Sequence, residues 1–376
     1  MEEILNKVKL KYIKLNDPFF DSLKKDYQKI AFEKWFLKKA NEESEAYVNF
    51  DKNKNIRVFL MLQIKEERED DINPIQNKQK RIKISTLKID DKIKNQRISE
   101  ILIDIIFSKM NQENINEAYI TLFKEKQKEL YDLLINWGFK ETGKKGNEVV
   151  LTKFRYISLN DVKKDYMWYF DQENFKNYKN SDWYVISLES QYHDKLLPKN
   201  ELKNVKSTAK EFNISSISIT KTYITGFRYI KLPKIGDFIL EYRKSNKDPK
   251  IYKSAITGIG IIIDIKDGRN LDFNKWKFFI GNTSVFNDEE LKYQYYEKKR
   301  KIIIKFLHIF SFGEGKNINY QTLKNNNLLQ KLEYPFAYPL QNKKVIINII
   351  QKKLGLFNFN ENFNINSSAT SWKYKK

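Results

Sequence analysis

The chain has 376 residues and a formal net charge of +22, with 70 Lys and Arg residues against 48 Asp and Glu residues. It has no cysteine and two histidines, which excludes disulfides and thiolate sites and argues against a histidine metal centre or a Ser–His–Asp triad, so no metal is expected. No apolar run of 18 residues occurs and the first residues lack a signal-peptide core, so we expect a cytoplasmic protein with no membrane partner.

The first part of the chain starts with the run KLKYIKL, and a helical segment is predicted from Asp17 to Ala40, with aromatic residues at helical spacing. The run IRVFLMLQIKEE predicts a strand that ends in Glu66 and Glu67. Alternation places Glu66 on the face of Val58 and Leu60, which predicts a partly buried carboxyl group. A solvated strand end is the alternative.

The next strand, RIKISTLKID, breaks its own alternation. Ile82 and Ile84 occupy even positions, whereas Leu87 and Ile89 occupy odd ones. Because strand side chains alternate between two faces, one face stays apolar only if a residue is inserted near Ser85–Thr86. The pattern predicts a β-bulge, a feature common beside active sites. A regular strand with one exposed apolar side chain is the alternative.

A basic turn, DKIKNQR, joins this strand to an amphipathic helix, ISEILIDIIFSKM. The helix is predicted to begin near Ile98, where its unpaired N–H groups and its dipole favour an anion. Lys92, Lys94 and Arg97 add positive charge at the same place. The turn therefore predicts a phosphate site, although an ordinary basic helix start has the same composition.

A second strand, EAYITLF, is followed by a helix with apolar residues at helical spacing that ends at Gly138. This order, from Arg81 to Gly143, resembles the GCN5-related N-acetyltransferases (GNAT). The family signature Arg/Gln-x-x-Gly-x-Gly/Ala aligns with Lys94 to Ser99. Arg97 stands at the first glycine and, having a β-carbon, is not expected to adopt a left-handed conformation easily. The resemblance implies acetyl-CoA, or another acyl-CoA, bound at Leu87, Lys88, Ile89, Lys94, Asn95, Gln96, Arg97, Ile98 and Ser99.

The resemblance also implies two catalytic roles. Family members often carry a Tyr four residues before the helix-ending glycine, as the acid that protonates the departing thiolate. Leu134 occupies that position here, so Tyr131, one turn earlier, is the nearest substitute; a half-buried core tyrosine is the alternative. Carboxylates at the end of the preceding strand often act through water in related enzymes, which implies Glu66 as the general base.

The second half consists of short β-branched and aromatic runs, which predict a mostly β domain or barrel. The stretch from Ser187 to Phe310 resembles the PUA-like superfamily, which includes the ASCH and EVE domains. In these small barrels a Gly-Asp turn opens a strand and a Gly-x-Gly-like stretch follows. The residues that match are Gly236, Asp237, Tyr242, Thr257 and Gly258.

Charge favours a polyanionic partner for this half, because residues 156–376 carry a net +16 and residues 1–155 a net +6. Aromatic residues also alternate with cations, as suits unpaired RNA bases and their phosphates. For the run YQYYEKKRK, the alternative is a solvated helix whose aromatic side chains pack inward. The predicted nucleic-acid-binding residues are Lys221, Tyr223, Arg228, Tyr242, Arg243, Lys298, Lys299 and Arg300.

Together these patterns predict an α+β chain: a GNAT-type mixed sheet with flanking helices in residues 1–155, a linker or cover segment at 156–180, and a mostly β PUA-like barrel in residues 181–376. The predicted function is acetyl-CoA-dependent N-acetylation of RNA, aminoacyl-tRNA or an RNA-associated amine. RNA, including tRNA, is favoured over DNA as partner. A non-catalytic nucleic-acid-binding protein with a degenerate acetyltransferase fold, and a protein lysine acetyltransferase, are the alternatives.

Overall fold

The computed structural model describes residues 5–155, 161, 163–168, 181–198, 200, 202, 218–226, 232–313, 315–332 and 337–354. The chain divides into two compact units, Met1–Tyr156 and Ile157–Lys376. Each unit has a mixed β-sheet and helices, so the predicted α+β class is confirmed. Within the described residues, no helix combines the length and apolar character needed to cross a membrane.

The N-terminal unit is built on a seven-stranded sheet in the order β1-β2-β3-β4-β5-β7-β6, in which only β4 and β5 pair in parallel. Its elements are β1 (Asn6–Lys9), α1 (Asp21–Asp26), α2 (Lys29–Asn41), β2 (Glu45–Phe50), β3 (Ile56–Glu69), β4 (Gln76–Ile89), α3 (Ile98–Gln112), β5 (Glu117–Leu122), α4 (Lys128–Asn136), β6 (Lys140–Lys145) and β7 (Glu148–Phe154).

An aromatic core joins helices α1 and α2 to one face of this sheet. Phe20, just before α1, lies with its ring centroid 5.3 Å from that of Phe59 on β3 and 5.5 Å from that of Phe36 on α2. Met61, two residues along β3, belongs to the same buried cluster. Since Phe59 pairs with Lys88 and Met61 with Thr86, these β4 residues face the same helices.

The C-terminal unit has strands in the order β14-β8-β10-β11-β12-β9, with β13 paired to β11. The terminal strands of this order, β14 and β9, do not pair within the described residues, so the predicted barrel is not confirmed. The elements are β8 (Trp183–Glu189), α5 (Ser190–Leu196), β9 (Thr220–Thr225), β10 (Phe238–Lys244), α6 (Lys250–Lys253), β11 (Ala255–Asp267), α7 (Phe273–Ile280), α8 (Asp288–Lys292), β12 (Ile302–Ser311), β13 (Ile318–Asn319), α9 (Tyr320–Asn325), β14 (Tyr338–Pro339) and α10 (Lys343–Leu354).

The Gly-Asp pair noted in the sequence closes the turn before β10. Gly236 has a φ of 89°, a value that favours glycine, and its N–H donates to the Ile262 carbonyl at 2.9 Å. The buried Asp237 carboxyl group accepts from the backbone N–H groups of Asp182 at 2.9 Å and Lys234 at 2.8 Å. This motif therefore fixes the start of a central strand.

Candidate functional site

The predicted β-bulge is present on β4. Met61 pairs with Thr86 and Leu62 pairs with Ile84, which leaves Ser85 without a partner in the β3–β4 register. The Ser85 hydroxyl donates to Gln63 Oε1 at 2.7 Å, so the extra residue is held against β3. The insertion keeps apolar residues on one face of the strand both before and after it, as the sequence pattern required.

Strands β4 and β5 part immediately beside this bulge. They pair only at Ile82 with Ala118 and at Lys83 with Tyr119, although both strands continue beyond these residues. The far edge of β5 remains paired with β7 as far as Leu122. The edge of β4 that faces β5 therefore has no strand partner within the described residues from Ile84 to Ile89. Backbone groups along such an edge are available to an extended ligand.

The turn after β4 ends beside this opening. A 3-10 helix, Asp91–Gln96, leads to Arg97, whose φ of 53° and ψ of 19° are left-handed. The expectation that Arg97 would avoid this conformation is therefore wrong. A left-handed backbone costs a residue with a β-carbon roughly 1–2 kcal/mol. The Arg97 guanidinium group donates to the Glu100 carboxylate in the first turn of α3. Arg97 thus provides the backbone bend that the aligned glycine would give.

The remaining predicted cofactor residues lie around this opening in different ways. Leu87, Lys88 and Ile89 pair with β3 through Leu60, Phe59 and Val58. The ammonium group of Lys88 turns towards α1, where it donates to Ser22 Oγ at 2.6 Å. At the start of α3, Ile98 is buried and Ser99 is half-buried. The side chains of Lys94, Asn95 and Gln96 lie outside the described residues.

Glu66 lies away from the opening. It is exposed and pairs with Lys80. Lys80 precedes the β4–β5 contact at Ile82 and Lys83, whereas the opening follows that contact. About 23 Å of strand separates Lys80 from Leu87, at roughly 3.3 Å per residue. The expected partial burial of Glu66 is therefore wrong, because Glu66 begins an exposed run of β3 that continues to Arg68.

Tyr131 also points elsewhere. Its hydroxyl donates to Glu141 Oε2 at 3.1 Å, and Lys124 Nζ lies 4.5 Å from its ring centroid. Glu141 belongs to β6, the edge strand, so this hydroxyl is directed away from the space between β4 and β5. Leu134, at the family's tyrosine position, is fully buried.

A carboxyl group that the sequence did not single out lies on the α1 and α2 face beside β5. Glu148 begins β7, next to Thr121 on β5 and Tyr27 at the end of α1. Burial raises the pKa of Glu148, while the Thr121 and Tyr27 hydroxyls beside it partly counter this shift. Its buried Oε1 atom has no hydrogen-bond partner within the described residues. An unsatisfied buried carboxyl oxygen is costly in a purely structural role and is typical of a functional one.

Two neighbours hold this carboxyl group in place. Burial and the nearby charge of Glu148 raise the pKa of Tyr27, so its hydroxyl remains protonated and can donate to the carboxylate. The Tyr27 ring packs 5.3 Å from that of Phe123, which directly follows β5. Lys83, on the same face of β4, also favours the ionised form of Glu148. Three elements far apart in sequence thus converge here.

In the C-terminal unit four of the eight predicted nucleic-acid residues are buried. Lys221, Tyr223, Tyr242 and Arg243 lie on strands whose residues are almost all buried on both faces. The prediction that these four contact RNA is therefore wrong, because the alternation of aromatic residues and cations arises inside a covered sheet. Arg228 lies outside the described residues.

Exposed aromatic and basic side chains lie next to one another in the π-helix Tyr293–Glu297 and the turn after it. Tyr293 and Tyr296 are exposed, as are Lys298 and Lys299, and Arg300 is half-buried. Lys298 Nζ lies 5.4 Å from the Tyr293 ring centroid. We refer to Tyr293, Tyr296, Lys298 and Lys299 as the tyrosine–lysine patch. No group of three or more His, Asp or Glu side chains in the described part of the chain is arranged to hold a metal ion.

No protein-family model and no curated protein match the chain. Similar solved structures include an ASCH protein from Zymomonas mobilis (15% identity, TM-score 0.29, 47% of this chain and 96% of that chain). They also include a GNAT-family acetyltransferase from Staphylococcus aureus (15%, 0.28, 40% and 98%) and the PaiA N-acetyltransferase from Thermoplasma acidophilum in complex with coenzyme A (12%, 0.25, 38% and 80%). Each of these covers less than half of the chain.

Proposed function

We propose that the N-terminal unit is an acyl-CoA-dependent N-acyltransferase that uses acetyl-CoA. The observation that carries this proposal is the parting of β4 and β5 beyond Lys83 and Tyr119, beside a bulge and the first turn of α3. The unpaired edge from Ile84 to Ile89 suits the amide groups of an extended pantetheine chain. The N–H groups at the start of α3 suit a pyrophosphate group. Acetyl-CoA would supply an acyl group activated as a thioester.

We assign the general base to Glu148 rather than to Glu66. An acceptor nitrogen must lose a proton, before attack for an aliphatic ammonium group or during attack for a base amino group, and the Glu148 carboxylate can accept that proton. Burial raises the pKa of Glu148 towards the working range of a base, and Tyr27 and Thr121 fix the orientation of the carboxylate. Tyr131 remains a prediction for the acid, and its bond to Glu141 would have to break for that role.

We further propose that the acceptor is an amine on RNA, on aminoacyl-tRNA or on a molecule bound to RNA. The net charge of +16 in residues 156–376 and the tyrosine–lysine patch support an RNA partner. Exposed tyrosine rings offer stacking surfaces for unpaired bases, and the adjacent lysines offer charges for phosphates.

Acetyl-CoA is expected to raise the melting temperature of the full chain. At a ligand concentration of about 100 times its Kd, the stabilisation should be about 2.7 kcal/mol. Ser99→Trp should weaken binding strongly, because a bulky side chain at the second helical position obstructs the approach to the α3 N–H groups, whereas Lys92→Ala should weaken it slightly. Differential scanning fluorimetry with acetyl-CoA and with free CoA measures both effects. An unchanged melting temperature at millimolar ligand would contradict the proposal.

RNA binding is expected to weaken with salt, with a log–log slope of about −0.7 for each phosphate contacted on a single strand. Lys298→Ala combined with Lys299→Ala should make this slope less steep. Tyr296→Leu should cost about 1–3 kcal/mol through lost stacking. Tyr252→Leu is the matched control, because Tyr252 and Tyr296 are both 56% exposed. Equal losses for the two tyrosines, or equal binding to RNA, duplex DNA and an acidic protein, would indicate a generic basic surface.

A further inference from the structure

A second cluster of chemically active groups lies in the C-terminal unit, on strands β10 and β12 to either side of β11. His308 Nδ1 lies 2.8 Å from Glu241 Oε1 and 3.0 Å from Oε2. The opposite ring nitrogen, Nε2, lies 2.9 Å from Ser311 Oγ. A carboxylate, an imidazole and a hydroxyl thus form one continuous hydrogen-bonded line, which no sequence pattern indicated.

Strand register explains why these three residues meet. Glu241 on β10 pairs with Gly258 on β11, and Gly258 pairs in turn with Ser311 on β12. Directly paired residues of antiparallel strands point to the same face, so Glu241 and Ser311 flank a glycine. Because Gly258 has no side chain, the Glu241 carboxylate can extend across β11. His308 pairs with Gly260, the next glycine on that strand, where the Phe306 ring occupies the space that a β-carbon would need.

Burial decreases along this line from the carboxylate of Glu241 to the hydroxyl of Ser311, which is the order that nucleophilic catalysis requires. Glu241 is fully buried, and the Asn200 amide donates to its Oε2 at 2.8 Å. The His308 side chain is 15% exposed, and Ser311 is half-buried at the end of its strand. A buried carboxylate that orients an imidazole, which in turn contacts a reachable hydroxyl, is the arrangement of an activated nucleophile.

The segment after Ser311 adds donors for a developing negative charge. Gly313 has a φ of 82° and Gly315 a φ of 78°, and a β-carbon at either position would meet open space. The Phe312 N–H is bound to the Thr257 carbonyl at 2.9 Å, whereas the Gly313 N–H has no acceptor within the described residues. A free backbone N–H two residues from a nucleophile is suited to stabilising an oxyanion.

Asn200 holds the hydroxyl in the resting enzyme. Ser311 Oγ donates to Asn200 Oδ1 at 2.5 Å, and the Asn200 amide is itself fixed by Glu241 and by Thr257 Oγ1 at 3.0 Å. The single hydroxyl proton therefore has two acceptors in reach, the amide oxygen and His308 Nε2. Rotation of this hydroxyl towards the imidazole would present its proton to His308 Nε2.

We propose that Ser311, His308 and Glu241 form a serine hydrolase site for an ester or amide of a carboxylic acid. The Ser311 oxygen forms a bond to the acyl carbon as His308 Nε2 takes its proton. The bond from the acyl carbon to the leaving oxygen or nitrogen then breaks, and His308 gives that atom the proton. Water adds to the acyl carbon and passes a proton to His308. The bond to Ser311 breaks, Ser311 regains a proton, and the products are an acid and an alcohol or amine.

The test is covalent labelling of the full chain with a fluorophosphonate, which reacts with activated serines, followed by peptide mass mapping. An adduct on Ser311 is expected, with none in Ser311→Ala. His308→Gln should slow labelling by roughly 10²- to 10⁴-fold, the usual contribution of a general base. Ser284→Ala is the matched control, because Ser284 is a half-buried serine whose hydroxyl accepts only from the Phe286 N–H at 3.2 Å within the described residues. It should label like wild type.

Two readouts separate catalysis from a structural role. Covalent labelling is the first, because a network that only holds the strands together gives no adduct. Hydrolysis of p-nitrophenyl acetate should be lost in Ser311→Ala even where the melting temperature is unchanged. Absence of an adduct on Ser311, or equal labelling of wild type and His308→Gln, would overturn the proposal. Neither readout needs acetyl-CoA, so the N-terminal proposal is tested separately.

Discussion

Glu148→Gln is expected to lower acyl transfer by roughly 10²- to 10⁴-fold, the usual loss when a general base is removed. Glutamine keeps the size of the side chain and can still contact Tyr27 and Thr121, but it cannot accept the proton of the acceptor amine. The melting-temperature shift with acetyl-CoA should be retained, because Glu148 lies on the face of α1 and α2 and not in the turn before α3. Release of CoA, with spermidine, a lysine peptide and aminoacyl-tRNA as acceptors, measures the rate.

Glu66→Gln is the matched control for this experiment. The same chemical change is made at an exposed carboxylate that lies on the other side of the β4–β5 contact from the opening. Turnover should therefore stay at the wild-type value. A large loss of the acyl-transfer rate in Glu66→Gln and no loss in Glu148→Gln would instead support Glu66, at the end of β3, as the general base.

The pH dependence supplies an independent check on Glu148. Because burial raises the pKa of Glu148, its carboxyl group stays protonated to a higher pH than an ordinary glutamate does. Only the ionised form accepts a proton, so the rate should fall as the pH drops through this raised pKa. In Glu148→Gln the remaining slow rate should lack that limb. An identical acid limb in both proteins would mean that another group titrates.

The sequence predicted the features that depend on neighbouring residues. The bulge at Ser85 follows from the alternation of one strand, and the start of α3 at Ile98 follows from one turn. Glu148 could not be found in this way, because its environment combines Tyr27, Thr121 and the end of a strand that lies far away along the chain. Its polar side chain on the face of Val150 was the one available signal.

The same reasoning explains why the RNA-binding residues predicted on the strands of the C-terminal unit were wrong. Tyr242 and Arg243 alternate like a half-exposed strand, but β10 lies between β8 and β11 and is covered on both faces. The side chains on both faces of such a central strand are buried, and the sequence pattern alone does not distinguish a central strand from an edge strand. The Ser311–His308–Glu241 line was missed because it depends on the register of three strands, which no local pattern encodes.

Arg243→Ala is expected to destabilise the C-terminal unit by about 3–5 kcal/mol, the cost of leaving one charge of a buried pair without its partner. Arg243 donates through Nε to Asp194 Oδ1 at 2.7 Å and through Nη2 to Oδ2 at 3.0 Å, and both residues are buried. Asp194 also contacts the fully buried His193 at 2.9 Å, and burial lowers the pKa of that imidazole, so His193 does not replace the lost charge.

The matched control is Arg269→Ala in the same unit. Arg269 also donates to an aspartate through two nitrogens, Nε and Nη2, with Nε 2.9 Å from Asp267 Oδ2. Its side chain, however, is 66% exposed. Water replaces the lost contacts at such a site, so the cost should be at most about 1 kcal/mol. Urea unfolding followed by tryptophan fluorescence compares the two variants. If Arg243→Ala instead left the unfolding midpoint unchanged and weakened RNA binding, Arg243 would be a surface contact after all, and the buried Asp194 pair would have no energetic weight.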